Sequence, residues 1–169
     1  MRDRHAMLAR HGDRLHRYAR VLTGDRDAAQ DLWQETAARY LAARRAPAEE
    51  TEARLYLFRS LRNLFIDQAR HRRVTRAHAE EEGALRDPPE ADARSLIAEI
   101  TVRQALARLA PEQRDLVALV DIGGFAYVEA AALLGIPVGT VMSRLARART
   151  AMLADIAGSS VVPIRKRAS

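Results

Sequence analysis

Wherever apolar residues cluster in this chain they recur at helical spacing. From Leu8 to Leu22, the residues Leu8, Leu15, Tyr18, Ala19 and Leu22 share one helix face, and Thr23-Gly24 supplies a stop. A second helix opens at Asp25 or Asp27, where Asp27 and Gln30 have capping-box spacing, and turns Leu32, Trp33, Ala37, Tyr40 and Leu41 inward. A third, about Glu52 to Arg72, buries Leu57, Phe58, Leu61, Leu64 and Phe65. A fourth, about Ala93 to Leu109, turns Val102, Ala105, Leu106 and Leu109 inward.

From Pro111 to Leu153 the pattern gives three further short helices, broken at Gly123-Gly124 and at Gly135-Ile136-Pro137. In the last of them Val141, Leu145, Ala148 and Met152 form the inward stripe. Thr140, Ser143, Arg144 and Arg147 stay outside. A short helix, a glycine turn and a second helix with hydroxyls and guanidiniums on its outer face follow helix-turn-helix grammar and suit phosphates and base edges. The pattern alone also fits a helix pair in an ordinary bundle. A second nucleic-acid surface would decide between them.

Composition places the whole chain in the all-α class: 169 residues, 5% aromatic, rich in Ala, Leu and Arg. Its length allows two small domains, each burying a modest core of its own. The formal charge is +6 and almost all of the positive charge is arginine, the side chain that pairs with phosphate through a planar fork. Between Arg54 and His78 seven arginines face Asp67 alone, which supplies the second candidate phosphate surface. From Ala79 to Glu99 the sign reverses, seven acids against two arginines, with Gly83, Pro88 and Pro89 as punctuation. That stretch reads as a flexible acidic linker. The expected organisation is a helical domain over 1–76, a linker over 77–94, a second helical domain over 95–157 and a basic tail over 158–169.

The chemistry this excludes is broad. There is no cysteine, hence no disulfide framework and no thiolate metal site. The five histidines have no metal-ligand spacing, and no phosphate-cradling GxxxxGK occurs. No metal, cofactor or catalysis is expected. Nor does any run of about 18 apolar residues suggest a membrane span, so a soluble cytoplasmic chain, monomeric when free, is expected. One face stays open to two interpretations: Asp31, Gln34 and Glu35, acidic and amide-bearing in a basic protein, read on their own as a solvated face.

Taken as words, the segments resemble bacterial sigma factors of the extracytoplasmic-function type, group 4. DAAQDLWQETAARYL is similar to that family's polymerase-binding helix, and LYLFRSLRNLFIDQARHRR to its promoter-melting segment. LARLAPEQRDLVALVDIGGFAYVEAAALLGIPVGTVMSRLARAR is similar to its second DNA-binding domain. The resemblance implies that Asp31, Gln34 and Glu35 dock on the clamp helices of the polymerase β′ subunit, with the β flap as a further contact. It implies that Arg62, Asn63, Asp67, Arg70, Arg72 and Arg73 hold and open the −10 promoter element. A base flipped out of the stack into a nearby pocket would offset the melting cost of a few kcal/mol without ATP. It implies that Thr140, Ser143, Arg144, Arg147 and Arg149 read the −35 element through the major groove, and that an anti-sigma factor holds the protein inactive.

Three positions depart from the family pattern. Met142 stands where Lys or Arg is usual in GTVKSR, Ala126 where Ser usually caps a helix, at a cost of about 1 kcal/mol, and Trp33 where an aliphatic residue is usual. The alternative function is a sigma-like adaptor that sequesters an anti-sigma factor without binding DNA. Arg144, Arg147 and Arg149 argue against it, and Met142 argues for it.

Overall fold

The computed structural model describes residues 2–76 and 93–158. The expected linker and tail therefore lie almost wholly outside the described residues, as do the side chains of residues 73–97. Among the described residues there is no strand. The helices are α1 (Arg2–Thr23), α2 (Arg26–Ala42), α3 (Glu50–Arg76), α4 (Ala93–Arg108), α5 (Pro111–Val117), α6 (Tyr127–Leu134) and α7 (Val138–Gly158). No single one is long and apolar enough to cross a membrane.

The local chemistry explains most boundaries. Gly24 takes a left-handed turn at φ 71° after α1, and the α2 cap is Asp25, whose carboxylate accepts from the Ala28 N–H at 2.8 Å. Asp27 is thus a first-turn acid and not the cap. The Arg4 guanidinium donates to the carbonyls of Leu41 and Ala43, at 3.0 and 2.7 Å, which ties the start of α1 to the end of α2. Pro111 opens α5 at a position where its missing N–H has no partner to lose. The Arg114 guanidinium closes the end of α4 by donating to the carbonyls of Leu106, Ala107 and Leu109. Burial lowers its pKa.

After α5 the chain widens into a π-helical turn, residues 118–122, where the Gly123 N–H reaches back five residues to the Ala118 carbonyl at 2.9 Å. Such a turn moves the following loop off the helix axis. Gly123 and Gly124 then end the element, Gly124 at φ 70°.

The expected inward faces are largely the buried ones. Leu8, Leu15, Tyr18, Ala19 and Leu22 are buried on α1, as are Leu32, Ala37 and Tyr40 on α2 and Leu57, Phe58, Leu61 and Leu64 on α3. Trp33, Leu41, Phe65 and Met152 pack at the margin. Val102 is a correction: it is 42% exposed at the open edge of a groove between α1 and α4.

The larger correction concerns the core. Two halves with separate cores were expected, but α1–α3 and α4–α7 pack together and their buried residues form one continuous cluster. Tyr18, Phe58 and Phe125 make an aromatic chain across the junction, with ring centroids 5.2 and 4.9 Å apart. A half of this size buries a modest share of its surface, and sharing one core raises it.

Candidate nucleic-acid and polymerase interface

The helix-turn-helix is built by the residues that the sequence singled out. Gly135 ends α6 in the left-handed conformation, φ 67°, and the Ile136 N–H closes back on the Ala131 carbonyl at 3.1 Å. Pro137 then accepts from the Thr140 and Val141 N–H groups to start α7. The two helices meet at 104°. Ala126 supplies no side-chain cap to α6, as its methyl requires, but the Glu129 carboxylate accepts from the Ala126 N–H at 2.8 Å, so half of a capping box survives.

On α7 Val141, Leu145 and Ala148 are fully buried, which turns the opposite face outward. Ser143, Arg147 and Arg149 are exposed there, with Thr140 and Arg144 half-buried. Among the described residues Ser143 and Arg147 make only local hydrogen bonds, to the Thr140 and Ser143 carbonyls. Arg149 is differently placed: its guanidinium donates to both carboxylate oxygens of Asp121, at 3.4 and 2.5 Å, and to the Tyr127 hydroxyl. These hydrogen bonds raise its pKa. Met142 is 55% exposed on the same helix, so an apolar side chain stands in the polar row.

The second surface lies on α2 and α3. Asp31, Gln34 and Glu35 are exposed together, and Glu35 pairs with Arg39 one turn on at 2.7 Å. A groove of about 730 Å³ separates this face from α3, with Asp31 and Glu35 on one wall and Asp67, His71 and Arg72 on the other. Asn63, Asp67, Arg70 and Arg72 are exposed along α3. Arg73 continues the helix, its side chain outside the described set. Members of both candidate sets of this half, Asp31 and Glu35 on one side and Asp67 and Arg72 on the other, therefore line one groove.

Arg62 stands apart from its set. It is half-buried and donates from Nε to Asp115 Oδ2 on α5 at 2.7 Å. Asp115 is itself buried, and its other oxygen accepts from the Tyr18 hydroxyl at 2.6 Å. Burial, then the Asp115 charge, push the Tyr18 phenol well above its ordinary pKa. Arg54 makes a second bridge between the halves: it lies 4.1 Å over the Phe125 ring and donates to Glu129 and to the Gly124 carbonyl, each at 3.1 Å. Sequence reasoning passed over Asp115, Tyr18 Oη, Arg54 and Asp121. A signal existed for one of them: Asp115 stands directly before the apolar run Leu116-Val117-Ala118-Leu119.

Two family profiles match the chain, Sigma-70 region 2 over residues 7–75 and Sigma-70, region 4 over residues 100–152. The chain belongs to the sigma-70 family. Its relatives place it among the RNA polymerase sigma factors of the extracytoplasmic-function type. It is 38% identical over 142 residues to the extracytoplasmic-function RNA polymerase sigma factor EcfG of Rhodopseudomonas palustris, covering 83% of this chain and 77% of that one. It is 37% identical over 164 residues to SigM of Mycobacterium tuberculosis, covering 92% and 79%. Among solved structures it resembles the sigma factor RpoE of Bartonella quintana, in complex with the anti-sigma factor NepR, with a TM-score of 0.71 at 26% identity, covering 94% and 99%. CnrH in complex with the cytosolic domain of CnrY is also similar, TM-score 0.66 at 27% identity, covering 93% and 89%. Region 2 thus spans α1–α3 and region 4 spans most of α4 through α7.

Proposed function

We propose that this sigma factor, of group 4, divides its work among the faces described above. The exposed Asp31, Gln34 and Glu35 of α2 dock on the β′ clamp helices of core polymerase, and region 4 adds a contact to the β flap. Asn63, Asp67, Arg70, Arg72 and Arg73 of α3, joined by Arg62 once it is free, hold and open the −10 element. Thr140, Ser143, Arg144 and Arg147 of α7 read the −35 element in the major groove. Arg149 supports that helix through Asp121 and reaches phosphate from its rim. Residues 77–94 are the linker that joins the two domains, the chain works in the cytoplasm as a monomer when free, and an anti-sigma factor is its regulator. Similarity to sigma factors solved with anti-sigma partners supports this last assignment.

The observation that carries the proposal is the outward face of α7. Its inner stripe is fully buried, the turn before it is a fixed 104° corner, and among the described residues Arg147 donates to no group beyond its own helix. A guanidinium held on a rigid helix and left without an acidic partner suits a base edge or a phosphate.

Holoenzyme binding to a promoter fragment tests it. Arg144→Ala and Arg147→Ala are each expected to weaken binding by about 1–3 kcal/mol if they meet bases, or to reduce the log-affinity against log-salt slope by about 0.9 if they meet phosphate. Arg149→Ala is expected to do less. Unchanged binding in both of the first two variants overturns the assignment. The exposed Met142 favours a second reading, a sigma-like adaptor that captures an anti-sigma factor without touching DNA. That adaptor would form no promoter complex with core at any salt concentration.

A further inference from the structure

The −10 and −35 elements lie about 25 base pairs apart by their names, roughly 85 Å of duplex at about 3.4 Å per step. A compact chain of this length is only roughly 40 Å across, from a radius of gyration of about 15 Å. With region 2 and region 4 sharing one core, the closed molecule cannot sit on both elements at once. It must open, and the groups that join the halves then become the groups that govern opening.

Of those groups, Asp115 has the most specific position. It is 8% exposed, and both donors to its carboxylate come from the other half of the chain, Tyr18 from α1 and Arg62 from α3. Arg62 is also a member of the −10 set. The same cavity, of about 380 Å³, is lined by Arg62 and Asp115 together with Arg144 of α7 and Glu112 of α5. In the closed chain a promoter-facing arginine of each half therefore opens onto one acid-bearing space. A carboxylate and a phosphate offer a guanidinium the same kind of partner, an anionic oxygen pair in one plane.

We propose that Asp115 is an intramolecular competitor for promoter phosphate. In the free chain its carboxylate holds the Arg62 guanidinium and, with the Tyr18 hydroxyl, latches region 4 onto region 2; when the halves separate, Arg62 passes to DNA. The physical basis is the cost of burying charge. A buried ion pair gains little over its hydrated partners, but one partner left alone in the closed form is strongly unfavourable. The latch thus has two good states, paired and closed or hydrated and open, and no good state between. Arg54, bridging to Glu129 and stacked on Phe125, acts beside it but takes no promoter residue out of use.

The proposal rests on the sigma-factor reading for the DNA role of Arg62, so its test separates the two. The chain has no cysteine, so Ala6→Cys and Ala151→Cys, both at exposed positions, give a unique donor–acceptor pair for distance measurement in the full-length free protein. The parent is expected to show a dominant short distance. Asp115→Asn, which keeps shape and removes charge, should convert it to a long one. It should also tighten binding of the free chain to mixed-sequence duplex DNA by about tenfold, as the competent fraction rises. Tyr18→Phe should act in the same direction and less strongly, and it carries the test if Asp115→Asn does not fold. The exchange Arg62→Asp with Asp115→Arg should restore the short distance and not the DNA affinity. A short distance that persists in folded Asp115→Asn and Tyr18→Phe overturns the latch, as does opening with no gain in DNA binding. Transcription driven by the parent chain with core polymerase reports on the sigma reading independently of these distances.

Discussion

α3 and α7 both carry rows of arginine, but the closed molecule treats them differently. α7 buries an unbroken stripe, Val141, Leu145 and Ala148, and among the described residues leaves Arg147 with hydrogen bonds only inside its own helix. α3 buries Leu57, Phe58 and Leu61 and spends two of its arginines, Arg54 and Arg62, on region 4. The outward face of α7 is thus assembled before any partner arrives, whereas part of α3 is occupied in holding the halves together. Identical side chains at similar helical spacing acquire different duties from what lies opposite them: solvent beyond Arg147, a buried carboxylate beside Arg62.

The strongest way to break this contrast is to remove the shared core on the α3 side. Phe58 touches both Tyr18 and Phe125, so Phe58→Ala should destabilise the chain by about 3–5 kcal/mol. Because the two halves share that residue, urea unfolding followed by circular dichroism should stay a single transition with a lowered midpoint. Two separated transitions in the parent protein would contradict the shared core.

A smaller effect is expected on the opposite side of the junction. A Cβ on Gly123 would stand 2.5 Å from the Leu119 carbonyl, 2.9 Å from the Phe125 ring and 3.0 Å from the Phe58 ring. The backbone has to shift, so Gly123→Ala should cost about 1–3 kcal/mol as overpacking, measured as a loss of midpoint in the same urea titration. It should also loosen the junction from the region 4 side. An unchanged midpoint would mean that the π-helical turn does not fix the approach of α3.

The sequence showed one of these two regions far better than the other. Every stop and start of the helix-turn-helix was legible, because Gly135, Pro137 and the i, i+4, i+7 stripe are local signals. The inward faces of α1, α2 and α3 were legible for the same reason. What joins the halves was not, since Tyr18 and Asp115, Arg62 and Asp115, and Arg54 and Glu129 lie 97, 53 and 75 residues apart and periodicity carries no information at that range. The expectation of two separate cores followed from reading the acidic stretch as a spacer, and apolar residues such as Tyr18 and Phe58 do not reveal which neighbour will cover them. Val102 was misplaced because helical spacing marks a face without marking how far its partner extends. The start of α2 was left between Asp25 and Asp27 because two acids stand two residues apart and either can start a helix; the Asp25 carboxylate is the one that accepts from the Ala28 N–H.

The smallest expected effect is a dependence on pH confined to region 2. His11 is buried, and that burial lowers its pKa from the ordinary 6.5, with Arg54, Arg10 and Arg14 acting in the same direction and Glu50 opposing. The unfolded chain therefore takes up its proton at a higher pH than the folded chain does. Stability from this residue is complete above about pH 6.5 and is lost as the pH falls from there through the folded pKa. His11→Gln should flatten that decline in a series of melts between neutral and mildly acidic pH. A decline of unchanged slope in the variant would assign it to another group.

The central claim is that the chain directs core polymerase to a promoter, and run-off transcription tests it most directly. Purified core would be supplied with the DNA upstream of the chain's own gene, with and without the chain. A discrete transcript present only with the chain, and lost when Asn63, Gln34 or Arg144 is replaced by Ala, is the predicted result. A chain that fails to bind core at all would contradict the account and favour the adaptor.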